Sequence, residues 1–128
     1  MERNPKRPYG FELIMDLHGC DVGTFNRKSI QEYMAALCEA IDMEREDLHF
    51  WDDEGVPENE RPKEAHLVGT SAVQFIRTSN IVIHTLELLK AAYVNIFACK
   101  PFDDKVAEEL TKDWFGAKEC RTHFIERI

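Results

Sequence analysis

Three consecutive strand-length runs between residues 71 and 99 constrain the fold of this chain more than any other feature. Residues 71–77 alternate between two faces, residues 80–86 read Asn-Ile-Val-Ile-His-Thr-Leu, and residues 91–99 read Ala-Ala-Tyr-Val-Asn-Ile-Phe-Ala-Cys. Such runs predict β-strands, and connections this short favour antiparallel neighbours. Turn-forming Thr78, Ser79 and Asn80 stand at the first junction.

The flanking segments predict two helices and further strands. Residues 11–17, 48–51 and 120–128 are predicted strands. Ser29 is the predicted N-cap of a first helix, whose apolar positions have helical spacing: Ile30, Tyr33, Met34, Leu37, Cys38 and Ile41. Asp103 and Gly116 are the predicted ends of a second helix. This order predicts an α+β two-layer sandwich, with a mainly antiparallel sheet and two main helices on one face.

Length and charge bound the classes of protein that this chain can belong to. Its 128 residues fit one domain, which we expect over residues 10–128 after a flexible arm at residues 1–9. The net charge of −8 repels nucleic acid and favours a cationic partner or substrate. The sequence has no apolar stretch long enough to span a membrane, and its start lacks the features of a signal peptide. We therefore expect a cytoplasmic protein.

Few side chains indicate chemistry when each is considered alone. His84 fits an ordinary strand position, Ser79 a turn and Cys99 a buried filler. None of the four cysteines forms a C-x-x-C pair, so a zinc ribbon is not indicated. Three possible metal ligands lack an evident fourth, so no metal site is predicted: Asp16, His18 and Asp21.

The order of these residues resembles the prokaryotic S-adenosylmethionine decarboxylases. In that family a Glu-Ser-His junction leads into an Ile-His-Thr strand and then into a strand ending in Cys. Here the corresponding runs are residues 79–85 and 91–99, and residues 10–21 resemble the opening strand of the family. The resemblance extends from Gly10 to about Gly116.

The resemblance implies a pyruvoyl enzyme that makes its own cofactor from Ser79. The serine hydroxyl attacks the carbonyl of Thr78, the resulting ester eliminates, and the new terminus hydrolyses to a pyruvoyl group, which forms a Schiff base with the substrate amine. His84 is implied in the elimination and Ser71 in processing, while Cys99 is implied as the proton donor to the decarboxylated product. The family also implies a homodimer that acts in polyamine, and specifically spermidine, biosynthesis.

The chain departs from the family around the serine and along the substrate pattern. Thr78 stands where the family has Glu, and Asn80 where it has His. Glu87 lies one position before the acid of the family and is the candidate substrate-binding residue. The acidic loop at residues 52–66 is long, and Ala65 to Leu67 offer no adenine-stacking aromatic, a role that Phe50 or Trp51 could take. Strand alternation also places Ser79 and His84 on opposite faces.

These features leave three hypotheses. The first is pyruvoyl-dependent decarboxylation of S-adenosylmethionine after cleavage between Thr78 and Ser79. The second keeps the chemistry with arginine or ornithine as substrate, because the acidic loop suits a guanidinium or ammonium group. The third is an uncleaved, non-catalytic homologue that acts as a binding or regulatory partner.

Overall fold

A computed structural model of the chain describes residues 8–128. Most of the predicted arm at residues 1–9 therefore lies outside the described residues. The strands are β1 (Gly10–His18), β2 (Arg45–Trp51), β3 (Gly69–Ile76), β4 (Ser79–Leu86), β5 (Ala91–Ala98) and β6 (Glu119–Arg127), and the helices are α1 (Arg27–Ala40) and α2 (Asp104–Phe115). The predicted order of strands and helices is confirmed.

The six strands form one antiparallel sheet in the order β2-β3-β4-β5-β1-β6. β3, β4 and β5 form a meander, as their short connections require. β1 is inserted between β5 and β6, so the first strand of the chain lies in the interior of the sheet. The edges are β2 and β6.

Both helices pack on the same face of the sheet, and the core lies between the two layers. Along β4, Ile81 and Ile83 are fully buried under the helices, whereas the alternate residues point away from them. On the helix side, Tyr33 of α1 and Phe115 of α2 are fully buried, with ring centroids 4.8 Å apart. The predicted two-layer α+β sandwich is confirmed.

The start of α1 differs from the prediction. The N-cap is Asn26, whose side chain accepts a hydrogen bond from the Ser29 backbone N–H, and the helix begins at Arg27. The Ser29 hydroxyl instead accepts a hydrogen bond from Trp114 Nε1 at 3.1 Å. The predicted N-cap was wrong because that serine is used in a contact between the two helices.

The ends of α2 agree with the prediction. Asp103 caps the helix by accepting hydrogen bonds from the backbone N–H groups of Lys105 and Val106. Gly116 ends it with a left-handed φ of 61°. Neither helix within residues 8–128 combines the length and apolar character that crossing a membrane requires.

The second face of the sheet, which we call the open face, has no helix packed on it within residues 8–128. Apolar side chains on this face include Trp51, which is 69% exposed, and Phe75, which is 46% exposed. Val82, in the middle of β4, lies on the same face and is half-buried. A sheet face of this composition resembles a surface that another chain covers.

Candidate active site

Ser79 and Cys99 meet where β4 begins and β5 ends. The register pairs Asn80 with Phe97, so the start of β4 lies beside the residues that follow β5. The backbone N–H of Cys99 donates a hydrogen bond of 3.0 Å to Ser79 Oγ. This bond holds the serine oxygen while leaving its own hydrogen free for another acceptor.

Thr78 lies in the two-residue connection between β3 and β4 and has a strained backbone. Its φ is +58°, in the left-handed region that a β-branched residue rarely adopts. Its hydroxyl donates to the carbonyl oxygen of Arg77 at 2.7 Å, and the same Oγ1 lies 3.0 Å from Cys99 Sγ. The bond between Thr78 and Ser79 therefore follows directly on a strained residue, as is common at functional sites.

The surroundings of Cys99 lower the pKa of its thiol. The hydrogen bond with Thr78 is the main cause, and Ser79, the Cys99 backbone and the charge of Lys100 act in the same direction. The other three cysteines show the opposite shift, because burial raises the pKa of the Cys20 and Cys38 thiols to about 11 and also raises that of Cys120. Cys99 is thus the thiol of this chain that is most easily deprotonated.

Gly10 allows β1 to lie against Cys99. A Cβ at this position would come within 2.3 Å of the Ala98 carbonyl oxygen and 3.0 Å of Cys99 Cα. A larger residue would push apart the two strands that position the thiol. The glycine is required here by the close approach of the backbones.

Two cavities flank the Thr78–Ser79 bond. One has a volume of about 260 Å³ and lies beside Cys99, with Glu44, Arg77 and Lys100 at its wall. The other, of about 410 Å³, is lined by Phe75, Asn80 and Phe97 and opens on the open face. The bond is therefore accessible from the side of the sheet that the helices leave uncovered.

Ser71 and His84 form a second polar pair on the open face. They are directly opposed on β3 and β4, and Ser71 Oγ lies 2.7 Å from His84 Nδ1. When the ring carries its proton on Nδ1, that nitrogen donates to the serine oxygen, and the unprotonated Nε2 is free to accept a proton. A cavity of about 410 Å³ beside the pair is walled by Trp51, His66 and Tyr93.

The two pairs do not meet within one chain. Ser79 is 7% exposed and, by strand alternation, lies on the face of β4 that the helices cover. His84 is exposed on the open face. Five residues of extended strand separate them, a distance of about 17 Å. The opposite faces expected from strand alternation are therefore found in the fold.

Glu87 lies in a short helical turn after β4, beside the acidic loop. Burial raises the pKa of its carboxyl, and the charge of Asp53 adds to the effect. Its buried Oε2 has no hydrogen-bond partner among the described residues. Glu87 does not line any of the cavities around Ser79 or His84.

Residues 8–128 contain no cluster of three His, Cys, Asp or Glu side chains arranged to hold a metal ion. Asp21, one of the three candidate ligands in the sequence, instead caps a short turn by accepting from the Gly23 backbone N–H at 2.9 Å.

Sequence reasoning missed the contribution of Thr78 and Gly10. Thr78 was considered as a turn residue, as the residue before the cleaved bond and as a departure from the expected acid, but its hydroxyl contact with Cys99 depends on the turn geometry. Gly10 appeared only as the start of the first strand. A glycine immediately before an apolar run was the available signal.

The fold and the site define a class of protein, a two-layer α+β domain in which a serine and a thiol lie together at one end of the central strands. The S-adenosylmethionine decarboxylase family matches residues 11–128, so the chain belongs to that family. The crystal structure of the adenosylmethionine decarboxylase from Aquifex aeolicus VF5 is similar, with a TM-score of 0.74. The match covers 94% of this chain and 92% of that chain at 18% identity, and it supports the same fold. No curated protein shows significant sequence similarity to this chain.

Proposed function

We propose that this protein decarboxylates S-adenosylmethionine with a pyruvoyl group made from Ser79 by cleavage of the Thr78–Ser79 bond. The observation that carries the proposal is the hydrogen bond from the Cys99 backbone to Ser79 Oγ, next to the left-handed Thr78. Membership of the family supports the reaction. Decarboxylated S-adenosylmethionine would serve spermidine biosynthesis in the cytoplasm.

The residues present fit a pyruvoyl group at position 79. Ser79 begins a strand and faces two cavities, so a terminus released there has room for a substrate. When present, this group would supply a carbonyl that condenses with the substrate amine and accepts electrons as CO₂ leaves. The acidic surface, with a net charge of −8, suits the cationic sulfonium substrate.

Cys99 is the residue of this site that can deliver a proton. Its sulfur lies beside residue 79, and the hydrogen bond with Thr78 orients it. Because the hydrogen bond with Thr78 lowers the pKa of the Cys99 thiol, this thiol gives up its proton to a developing carbanion more readily than a buried thiol of raised pKa. The role implied by the resemblance therefore remains our proposal for Cys99.

The separation of the two polar pairs points to a second copy of the chain. Ser71 and His84 of one copy can approach Ser79 and Cys99 of another if the open faces pack against each other. A two-fold axis near Val82, the middle of β4, would place the Ser79 end of each β4 over the His84 end of its partner. Such an isologous contact would create two equal sites.

The apolar side chains of the open face support this arrangement. Trp51, Phe75 and Val82 would be removed from water by a facing sheet. In the assembled site, His84 of the partner would remove the Cα proton of residue 79 during cleavage, with its ring oriented by the partner's Ser71. The same packing would enclose the substrate between the two sheets.

Intact-mass spectrometry of the denatured protein tests the proposal. We expect fragments of residues 1–78 and 79–128, the second without a free amino terminus, and an intact chain for Ser79→Ala. Release of labelled CO₂ is then measured from carboxyl-labelled S-adenosylmethionine, arginine and ornithine. A preference for arginine or ornithine would replace the substrate in our proposal and keep the pyruvoyl chemistry.

An uncleaved homologue is the second candidate function. It is favoured by Thr78 and Asn80 at the positions that flank the serine. A single species near 14.9 kDa, with no CO₂ released from any of the three substrates, would support this candidate and refute the enzyme. Such a chain would act as a binding or regulatory partner of an active decarboxylase.

A further inference from the structure

The hydroxyl of Thr78 stands between a fixed carbonyl and a titratable thiol. Oγ1 lies 2.7 Å from the Arg77 carbonyl oxygen and 3.0 Å from Cys99 Sγ. A hydroxyl has one hydrogen to donate and two lone pairs to accept with. It therefore cannot donate to both neighbours at once, and the protonation state of Cys99 decides which bond it makes.

The arrangement has two complementary states. With Cys99 protonated, S–H donates to Thr78 Oγ1 while the threonine hydroxyl donates to the Arg77 carbonyl. When the sulfur loses its proton, rotation about the Thr78 Cβ–Oγ1 bond turns the hydroxyl toward the thiolate and gives up the bond to Arg77. The sulfur keeps a hydrogen-bond partner in both states.

We propose that Thr78 is a positioning residue that holds the Cys99 sulfur beside residue 79, accepting a hydrogen bond from the thiol and donating one to the thiolate. This proposal deepens the proposed function and rests on it for its biological meaning. The contact itself exists in the uncleaved chain, so it can be tested there. A hydroxyl does this without adding a charge next to the sulfur.

Two further observations support the assignment. The left-handed φ of +58° is unfavourable for a β-branched residue, and the residue that adopts it has its hydroxyl in contact with Cys99. The contact with Thr78 is also the main cause that lowers the pKa of the Cys99 thiol, ahead of Ser79 and Lys100. The backbone conformation of Thr78 and the lowered pKa of Cys99 are thus both associated with the contact between Thr78 Oγ1 and Cys99 Sγ.

Within residues 8–128, the charged side chains nearest the sulfur are exposed. Lys100 follows Cys99 directly and pairs with Asp42 at 3.4 Å, and Arg77 pairs with Glu44 at 3.5 Å. These side chains line or border the cavity beside the sulfur and are at least half exposed, so water and salt screen their effect. Thr78, in contrast, is an uncharged neighbour whose hydroxyl lies in direct contact with the sulfur.

Alkylation of Cys99 as a function of pH tests the proposal in a chain that cannot cleave itself. In a Ser79→Ala background, the protein is treated with iodoacetamide and modification is quantified for each cysteine peptide. Thr78→Val removes the hydroxyl but keeps the β-branched shape, and Thr78→Ser keeps the hydroxyl. Cys120, the other half-exposed thiol, is the internal control.

We expect Thr78→Val to slow Cys99 alkylation near neutral pH by about tenfold and to move its pH midpoint upward, because a thiolate loses a hydrogen bond. Thr78→Ser should keep the parent profile, and Cys120 should behave alike in all variants. An unchanged Cys99 profile in Thr78→Val would overturn the proposal, as would an equal loss in Thr78→Ser.

Thr78→Ala provides the same test if circular dichroism shows that Thr78→Val does not fold. Ala tolerates the left-handed region better than a β-branched residue, and it also lacks the hydroxyl. The alkylation result does not depend on decarboxylation. An inactive, uncleaved chain would refute the proposed function while leaving the Thr78 contact measurable, and an active enzyme with an unchanged profile would refute only the role of Thr78.

Discussion

At the scale of single residues, the hydroxyl pair of Tyr33 and Thr111 joins the two helices inside the core. Both side chains are fully buried and their oxygens are 2.6 Å apart. Burial raises the pKa of Tyr33, so its hydroxyl stays neutral. A buried hydroxyl without a partner is unfavourable, which makes the pair sensitive to the loss of either member.

We expect Thr111→Val to lower the free energy of unfolding by about 1–3 kcal/mol, because it leaves the Tyr33 hydroxyl buried without its partner. Tyr33→Phe should have a smaller effect, since the Thr111 hydroxyl can bond to the backbone carbonyl four residues earlier in its helix. Urea unfolding followed by circular dichroism measures both. A larger effect of Tyr33→Phe than of Thr111→Val would contradict this account.

At the scale of elements, the acidic loop is attached to α1 through one arginine. Arg27 donates from Nε and from a terminal nitrogen to the two oxygens of Asp52, at 2.7 Å each, and also contacts Glu54 at 3.0 Å. The hydrogen bonds from Arg27 hold the pKa of the Asp52 carboxyl below its usual range. The loop after β2 is therefore anchored at its first residue, beside the strand that carries Trp51.

Asp52→Asn should increase the rate of proteolytic cleavage within the loop at neutral pH. Because folding lowers the pKa of Asp52, the contribution of the pair is present above the ordinary carboxyl pKa of about 4 and disappears as pH falls through the lowered value. The difference from the parent protein should therefore vanish in strong acid. Limited proteolysis with pepsin at low pH and thermolysin at neutral pH measures it.

Glu60→Gln is the matched control, because Glu60 is an exposed acid of the same loop. It removes the same charge without touching Arg27. Equal proteolysis of the two variants at neutral pH would show that charge, and not the Arg27–Asp52 pair, sets the stability of the loop.

At the scale of the whole molecule, the proposed dimer depends on the open face. Val82→Arg places a charge at the centre of that face, and we expect it to convert a dimer into a monomer near 14.9 kDa. Val106→Arg makes the same change on an exposed position of α2, on the other side of the molecule, and should leave the dimer intact. Light scattering coupled to size exclusion distinguishes the two. A monomeric parent protein would refute the dimer.

Co-expression of Ser79→Ala and His84→Ala chains tests whether the two polar pairs act across the dimer. Neither variant alone contains a complete site, so neither should cleave. In a mixed dimer, one site combines Ser79 of the His84→Ala chain with His84 of the Ser79→Ala chain. Mass spectrometry should then show cleavage of the His84→Ala chain alone.

Two results would contradict the shared site. Absence of cleavage in mixed dimers, with a cleaving wild-type protein in parallel, would mean that the pairs act within one chain after a rearrangement. Cleavage of His84→Ala by itself would mean that His84 is not required.

The elements could be predicted from the sequence because their signals are local. The apolar period of α1, the caps Asp103 and Gly116 and the alternation of β3 and β4 all depend on neighbours within a few residues. The N-cap of α1 could not be predicted in this way, because Asn26 and Ser29 are both suitable N-cap residues. The choice depends on Trp114, 85 residues away, which donates a hydrogen bond to the Ser29 hydroxyl. The same holds for the candidate site: the sequence indicated the candidate residues, but it did not indicate which side chains they contact.

The sequence by itself determined the two-layer α+β fold and the choice of candidate site residues. It also determined the opposite faces of Ser79 and His84, because strand alternation has a period of two residues. The tertiary structure alone decided which groups touch. The register of β3, β4 and β5 pairs Ser71 with His84, and the end of β5 with the start of β4. The turn at Thr78 then brings its hydroxyl against Cys99, 21 residues further along the chain, a contact that no pattern of neighbouring residues indicates.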